Sequence, residues 1–294
     1  MNRIAVIVIG SNSTRMLAAD ACHALSNEER GRAETRLFLG MKEDNVLSKD
    51  AIEYTVQSVL ELKAQAESSG AQLIAICATS ATRDARNRHE LAQRIEESTG
   101  FPLRIISGEE EAAFSFAGAA GADKSCVFDI GGGSTEIVLG QNMQPDFKRS
   151  LQLGASRLFK QHPINCVNDV KAAYVCAVEM IRTLPDHVRR HEFFEAFYLV
   201  GGTGTSSARM LGQAPEGCSI SRAQIHALLM LIADTPRDER AKLPGFPPQR
   251  VDILPTGLAI LLALMDEFSL SSIQVTERVN ADGILRMFVH KKFA

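Results

Sequence analysis

The chain has 294 residues, is 45% hydrophobic and 23% charged, and carries a net charge of −3. This composition excludes a disordered or collagen-like chain, and the length exceeds what one ordinary core holds, so two domains are expected. A mildly acidic chain is not a bulk binder of nucleic acid, so any phosphate site has to be local, built from a few arginines and backbone N–H groups. The six cysteines form no C-x-x-C pair, which argues against a structural zinc site, and Cys77 and Cys126 lie in apolar runs and read as buried. The start, MNRIAVIVIGS, is too short and too soon polar for a secretion signal, and the apolar run 257–265 is too short for a membrane span. A cytoplasmic protein with no membrane partner is the expectation.

In chain order, the β-branched run 4–9 predicts a buried strand ending at Gly10, with 16–19 as its return strand. Residues 50–69 show helical spacing and stop at Gly70. A strand follows at 73–77, a helix at 84–99, a strand at 103–106 and a helix from about Ser107. Residues 126–130 and 136–139 read as strands around a glycine turn, 167–184 as a helix, and 197–200 as a strand ending at Gly201. Helices are expected at 221–233, 256–268 and 281–289, with a short strand at 273–275. Strands and helices alternate, so the class is α/β. His89, His187, His191 and His226 read as helix-surface residues.

An internal repeat organises these elements. Residues 6–17 read VIVIGSNSTRML and residues 127–138 read VFDIGGGSTEIV. In register, Gly10 matches Gly131, Ser13 matches Ser134 and Thr14 matches Thr135, a constant offset of 121 residues (131 minus 10). Each copy is strand, glycine turn, strand. Two copies at domain-scale separation point to a duplicated fold, with each lobe offering one turn to a shared cleft. The boundary is placed at about residue 120, giving domains 1–120 and 121–294.

Glycines let a turn approach a ligand closely, and successive turn N–H groups make an anion cradle. In DIGGGSTE (129–136), Asp129 stands before the cradle, where it can hold a metal ion directly or through water. In SGEEE (107–111), Ser107 as N-cap puts Glu110 at the third helical position, a capping box, and Glu109 favours the helix dipole. Glu111 is left without a structural task and is the candidate general base for a water. A third turn, GGTGTSS (201–207), follows a strand and opens a helix. Arg83 follows ATSAT after a strand, where it can clamp a phosphate oxygen. Arg86 and Arg88 read as solvated, while Arg15 and Arg157 are weaker phosphate candidates. His162 and Cys166 lack a partner pair for metal binding.

These segments resemble the exopolyphosphatase/guanosine pentaphosphate phosphohydrolase family. The matching stretches are IGSNS (9–13), ATSATRDARN (78–87), ISGEEEA (106–112), DIGGGSTE (129–136), LGASRL (153–158), GGTGT (201–205) and LPTGLAIL (254–261). The resemblance implies two actin-like (ribonuclease H-like) domains related by duplication, with an interdomain cleft. It implies hydrolysis of the terminal phosphate of inorganic polyphosphate, or of pppGpp to ppGpp, with Mg²⁺ or Mn²⁺. By position, Glu111 deprotonates the attacking water and Arg83 binds a phosphoryl oxygen. Asp129 and Glu136 hold the metal. Gly10, Ser11, Asn12 and Ser13 cradle phosphates together with Gly131, Gly132, Gly133 and Ser134, while Gly202 and Thr203 line the second lobe. A homodimer is expected by family analogy.

One position departs from the pattern. The family has an acid two residues before the first turn glycine, as Asp129 stands before Gly131; here that residue is Val8. Valine cannot hold a metal or its waters. An alternative therefore stands beside the enzyme, a catalytically weakened polyphosphate- or nucleotide-binding regulatory protein. A kinase or ATPase of the wider actin-like superfamily is disfavoured by the Glu111 segment and by ATSATR. Near the end, NADGILRM (280–287) matches the family's SDG turn and Leu-Arg-Glu stretch imperfectly.

Overall fold

The computed structural model describes residues 2–22, 24–42, 44–121, 123–189 and 194–293. Strands β1 (Asn2–Ile9), β2 (Thr14–Ala21) and β3 (Leu25–Ala33) form an antiparallel meander. Helix α1 (Lys49–Ser68) starts at Ser48, whose Oγ accepts the Ala51 N–H, and buries Ile52, Val56, Val59 and Leu62, one stripe at helical spacing. Next come β4 (Gln72–Ala78), α2 (Ser80–Asp84), α3 (Arg88–Thr99), β5 (Leu103–Ile105) and α4 (Gly108–Ala119). The helix expected over 84–99 begins at Arg88, and residue 84 instead ends the short α2. Asn87 explains the break: its side chain accepts the Leu47 N–H (2.9 Å) and donates to the Leu47 carbonyl (3.1 Å), which holds the chain out of helical register.

The second half repeats the plan. Strands β6 (Ser125–Ile130), β7 (Thr135–Gln141) and β8 (Gln144–Leu151) form another antiparallel meander. They are followed by α5 (Ala155–Gln161), α6 (Val170–Ile181), α7 (Asp186–Arg189), β9 (Ala196–Val200), α8 (Gly202–Met210), β10 (Ser219–Ser221), α9 (Arg222–Asp234), α10 (Leu254–Glu267) and β11 (Ser272–Val275). Helix α10 is buried all round from Leu254 to Met265, as its apolar run 257–265 requires. The chain ends in α11 (Asn280–Phe293).

The first sheet runs β3-β2-β1-β4-β5 and the second β10-β11-β9-β6-β7-β8. Read from the meander, each is third, second, first and then two parallel strands, with β10 added antiparallel at the edge of the second sheet, so the duplication seen in the two glycine turns extends to the strand order. The fold is α/β with two domains, each built around one sheet. Each has its own core: Ile7, Ile9, Val59 and Ile76 belong to the first, and Phe128, Ile137, Leu199 and Leu258 to the second.

The chain divides into a first unit, Met1–Gly118 with Asn280–Ala294, and a second, Ala119–Val279. The final helix, which the sequence reading placed with the second domain, therefore packs with the first. Three features hold it there. Buried Asp282 accepts Arg30 of β3 through both oxygens (2.6 and 3.1 Å). A side chain at Gly283 would collide with the Phe114 carbonyl of α4. Arg286 donates to the Ala117 and Gly118 carbonyls at the end of α4. Among the described residues no helix is long and apolar enough to cross a membrane. His89, His187 and His226 are exposed as expected; His191 lies outside the described residues.

Candidate active site

The two glycine turns share one hydrogen bond: Gly10 N–H donates to Ser13 O (3.1 Å) and Gly131 N–H to Ser134 O (3.0 Å). In each meander, the segment after the third strand binds the turn's other carbonyls. In the first unit, the N–H groups of Arg36 and Phe38 donate to the Asn12 and Ser11 carbonyls, both at 2.8 Å. In the second, the N–H groups at the start of α5 do this work: Ala155 donates to Gly131 O (2.9 Å), and Ser156 and Arg157 to Gly132 O (2.8 and 3.0 Å). The Arg157 Nε adds a bond to Gly133 O at 2.6 Å. A trans peptide points its N–H opposite its carbonyl. The N–H groups of Asn12 and Ser13, and those of Gly132, Gly133 and Ser134, are thereby aimed away from the clamping segments, the arrangement of an anion nest.

Ser11 has a further task, because its Oγ accepts the Ala81 N–H (3.2 Å) and ties the first turn to α2. Asn12 donates to Glu34 (3.1 Å), and Ser13 and Ser134 are buried. Val8, Asp129 and Glu136 can be placed by register. Val8 pairs with Arg15 across β1–β2 and Asp129 with Glu136 across β6–β7. Directly opposed residues share a sheet face. The second unit therefore presents two carboxylates where the first presents a valine and an arginine. Glu136 accepts the Ser150 hydroxyl (2.7 Å) from the next strand.

The three acids of SGEEE separate as their chemistry demands. Ser107 Oγ accepts the Glu110 N–H (3.1 Å) and the Glu110 carboxylate accepts the Ser107 N–H (2.8 Å), the expected capping box. Glu109 is exposed and Glu111 is buried. Arg83, on α2, donates through Nη1 to Glu111 Oε2 (3.2 Å) and to the Ile106 carbonyl (2.9 Å). Its Nη2 is buried and, among the described residues, has no hydrogen-bond partner. A guanidinium nitrogen in that state lacks an acceptor that an anion's oxygen can supply.

At the third turn, Gly201 has φ +99°, and a side chain there would stand 3.3 Å from Asp129 Oδ1 and 2.8 Å from the Ile130 carbonyl. Gly202 lies so close to the Arg250 guanidinium that any side chain would overlap it, and Gly257 meets Thr203 Oγ1 in the same way. Thr203 is buried and its hydroxyl has no hydrogen-bond partner among the described residues. The third turn thus has the Asp129 carboxylate near Gly201 and the Arg250 guanidinium against Gly202.

The model of the Ppx/GppA phosphatase family matches residues 18–292. The chain belongs to that family. The match begins after the first glycine turn, the one that follows Val8. Among solved structures, the Aquifex aeolicus Ppx/GppA family member is 24% identical with a TM-score of 0.82, over 100% of this chain and 99% of that one. A second A. aeolicus structure, of its PPX-GPPA enzyme, is 25% identical with a TM-score of 0.80, over 97% and 99%. An exopolyphosphatase from Cytophaga hutchinsonii is 20% identical with a TM-score of 0.86, over 99% and 98%.

In this Ppx/GppA chain the structure brings Arg83 together with Glu111, and Asp129 together with Glu136 and Gly201. Arg157, a weaker phosphate candidate, donates through Nε to the Gly133 carbonyl. Arg86 and Arg88 are exposed, as expected. Sequence reasoning missed Arg36, whose φ of +47° is the left-handed bend that turns its N–H toward Asn12, and Arg250. The signal for Arg36 was its place right after a strand that was itself not recognised. Arg250 comes after two prolines in a 3-10 turn (Pro248–Arg250) and has no sequence signal.

Proposed function

We propose that this chain is a phosphohydrolase that releases the terminal phosphate of inorganic polyphosphate or of pppGpp. The observation that carries the reading is the Arg83–Glu111 pair: a buried carboxylate held by a guanidinium that keeps one nitrogen unpartnered. Glu111 accepts a proton from the water that attacks the terminal phosphorus, the phosphoanhydride bond breaks, and the shortened chain leaves. Arg83 Nη2 donates to a phosphoryl oxygen as its charge grows. The turn N–H groups of residues 12–13 and 132–134 hold phosphate oxygens.

Asp129 and Glu136 suit a Mg²⁺ or Mn²⁺ ion, which is commonly held by one or two carboxylates while keeping waters and substrate oxygens. Gly201 supports this, since a side chain there would crowd the Asp129 carboxylate. Among the described residues no group of three His, Cys, Asp or Glu side chains gathers to hold a metal; the proposed protein ligands are Asp129 and Glu136. When bound, the ion supplies charge neutralisation at the phosphates.

The related C. hutchinsonii chain is an exopolyphosphatase, which favours the polyphosphate substrate here. Incubation with long-chain polyphosphate, and separately with pppGpp, in Mg²⁺ or Mn²⁺ tests the reading through released phosphate. Release from either supports it, and release from neither sinks it. A second reading, binding with weakened turnover, is favoured by Val8, which is 3% exposed where an acid is expected. Tight binding without release would establish that one.

A further inference from the structure

The LGASRL segment matched the family pattern but received no task in the reaction. Its place in the fold gives it one. Gly154 approaches the turn so closely that a side chain would stand 2.4 Å from the Gly132 carbonyl oxygen and 2.5 Å from the Gly133 carbonyl carbon. That approach lets the first N–H groups of α5 reach the turn. They satisfy Gly131 O and Gly132 O, and Gly133 O is reached by a side chain, through Arg157 Nε. The Thr135 hydroxyl completes the seam with a bond to the Leu153 carbonyl.

Three glycines in a row have no side chain to fix their peptide planes, and glycine has the widest choice of backbone angles. The orientation of each plane must come from its hydrogen bonds. The plane joining Gly133 to Ser134 is set from its carbonyl side by Arg157, and its other end is the Ser134 N–H. The first unit differs, because there the carbonyls of Ser11 and Asn12 are taken by backbone donors. A side-chain substitution can therefore loosen the second turn without touching the first.

We propose that Arg157 is a positioning residue for phosphate binding: it orients the Gly133–Ser134 peptide so that the Ser134 N–H faces the phosphate. The proposal rests on the phosphate-binding reading above. Arg157 touches the turn's carbonyl and acts through it.

The test uses the full chain and tripolyphosphate titrated by calorimetry in Mg²⁺. Arg157→Ala is expected to weaken binding by about tenfold, the scale of one well-placed hydrogen bond. Millimolar methylguanidinium is expected to restore most of that affinity in Arg157→Ala and to leave the wild type unchanged. Equal affinity of Arg157→Ala and wild type overturns the proposal. Lost affinity that methylguanidinium does not restore also overturns it, because Arg157 then acts through stability alone. If Arg157→Ala does not fold, Arg157→Lys decides. A lysine keeps the charge without the Nε–H, so weakened binding supports the proposal and full binding overturns it. A wild-type chain that binds no tripolyphosphate defeats the phosphate-binding reading itself, and the proposal with it.

Discussion

Val8 and Asp129 occupy equivalent places in two equivalent hairpins: each stands two residues before the turn glycine, and each is paired across the hairpin, Val8 with Arg15 and Asp129 with Glu136. The difference in side chain makes one hairpin apolar and basic and the other acidic. Val8→Asp would place a carboxylate opposite Arg15, in the register that Asp129 occupies opposite Glu136. We expect the variant to bind Mn²⁺ more tightly, read by electron paramagnetic resonance, and to raise phosphate release. Unchanged metal affinity would show that position 8 has no part in holding the ion.

Arg83 balances a carboxylate whose side chain is 9% exposed. Arg83→Ala leaves Glu111 without that partner, and a buried charge stripped of its partner is destabilising. Denaturant melts should show a loss of about 1–3 kcal/mol, with phosphate release down by about a hundredfold or more. Adding Glu111→Gln to Arg83→Ala should return part of the stability but none of the activity. A double variant no more stable than Arg83→Ala would argue against the pair as drawn.

Asp282 is fully buried and grips Arg30, fastening α11 to β3. Asp282→Ala leaves the guanidinium without this acceptor and loosens the helix that also holds the end of α4. The expected cost is about 3 kcal/mol by urea unfolding. A change below about 1 kcal/mol, the ordinary value of an exposed pair, would mean that the contact does not fasten the helix.

Glu110 gives a pH dependence. The Ser107 N–H, ahead of a smaller opposing effect of burial, holds its carboxyl below the ordinary glutamate range. A depressed folded value means that the stabilisation is present above the ordinary range and is lost as pH falls through the folded value. Wild type should therefore exceed Glu110→Gln in melting temperature at neutral pH, and the gap should close as pH falls below the ordinary glutamate range and through the lowered folded value. A gap that persists in acid would contradict the charged cap.

Much of this was legible in the sequence because buried, periodic segments announce themselves. The repeat around Gly10 and Gly131 exposed the duplication, and the spacing of Ser107 to Glu110 exposed the cap and left Glu111 apart. The edge strands β3 and β8 were not legible. Their sequences, LSNEERGRA and QPDFKRSL, are charged, since one side of an edge strand meets solvent. Missing them hid Arg36 and the role of α5, because both come directly after those strands. The return of α11 to the first unit was hidden as well. It depends on contacts of Asp282 and Gly283 with residues far away in the chain, Arg30 and Phe114, which no local pattern records.

Glu111 is the residue on which the account stands, so phosphate release by Glu111→Gln against wild type is the most direct measurement. With long-chain polyphosphate and Mg²⁺ or Mn²⁺, wild type should release phosphate. The variant, isosteric but unable to take a proton from water, should fall by at least about a hundredfold while still binding tripolyphosphate. Release by the variant at the wild-type rate would contradict the account.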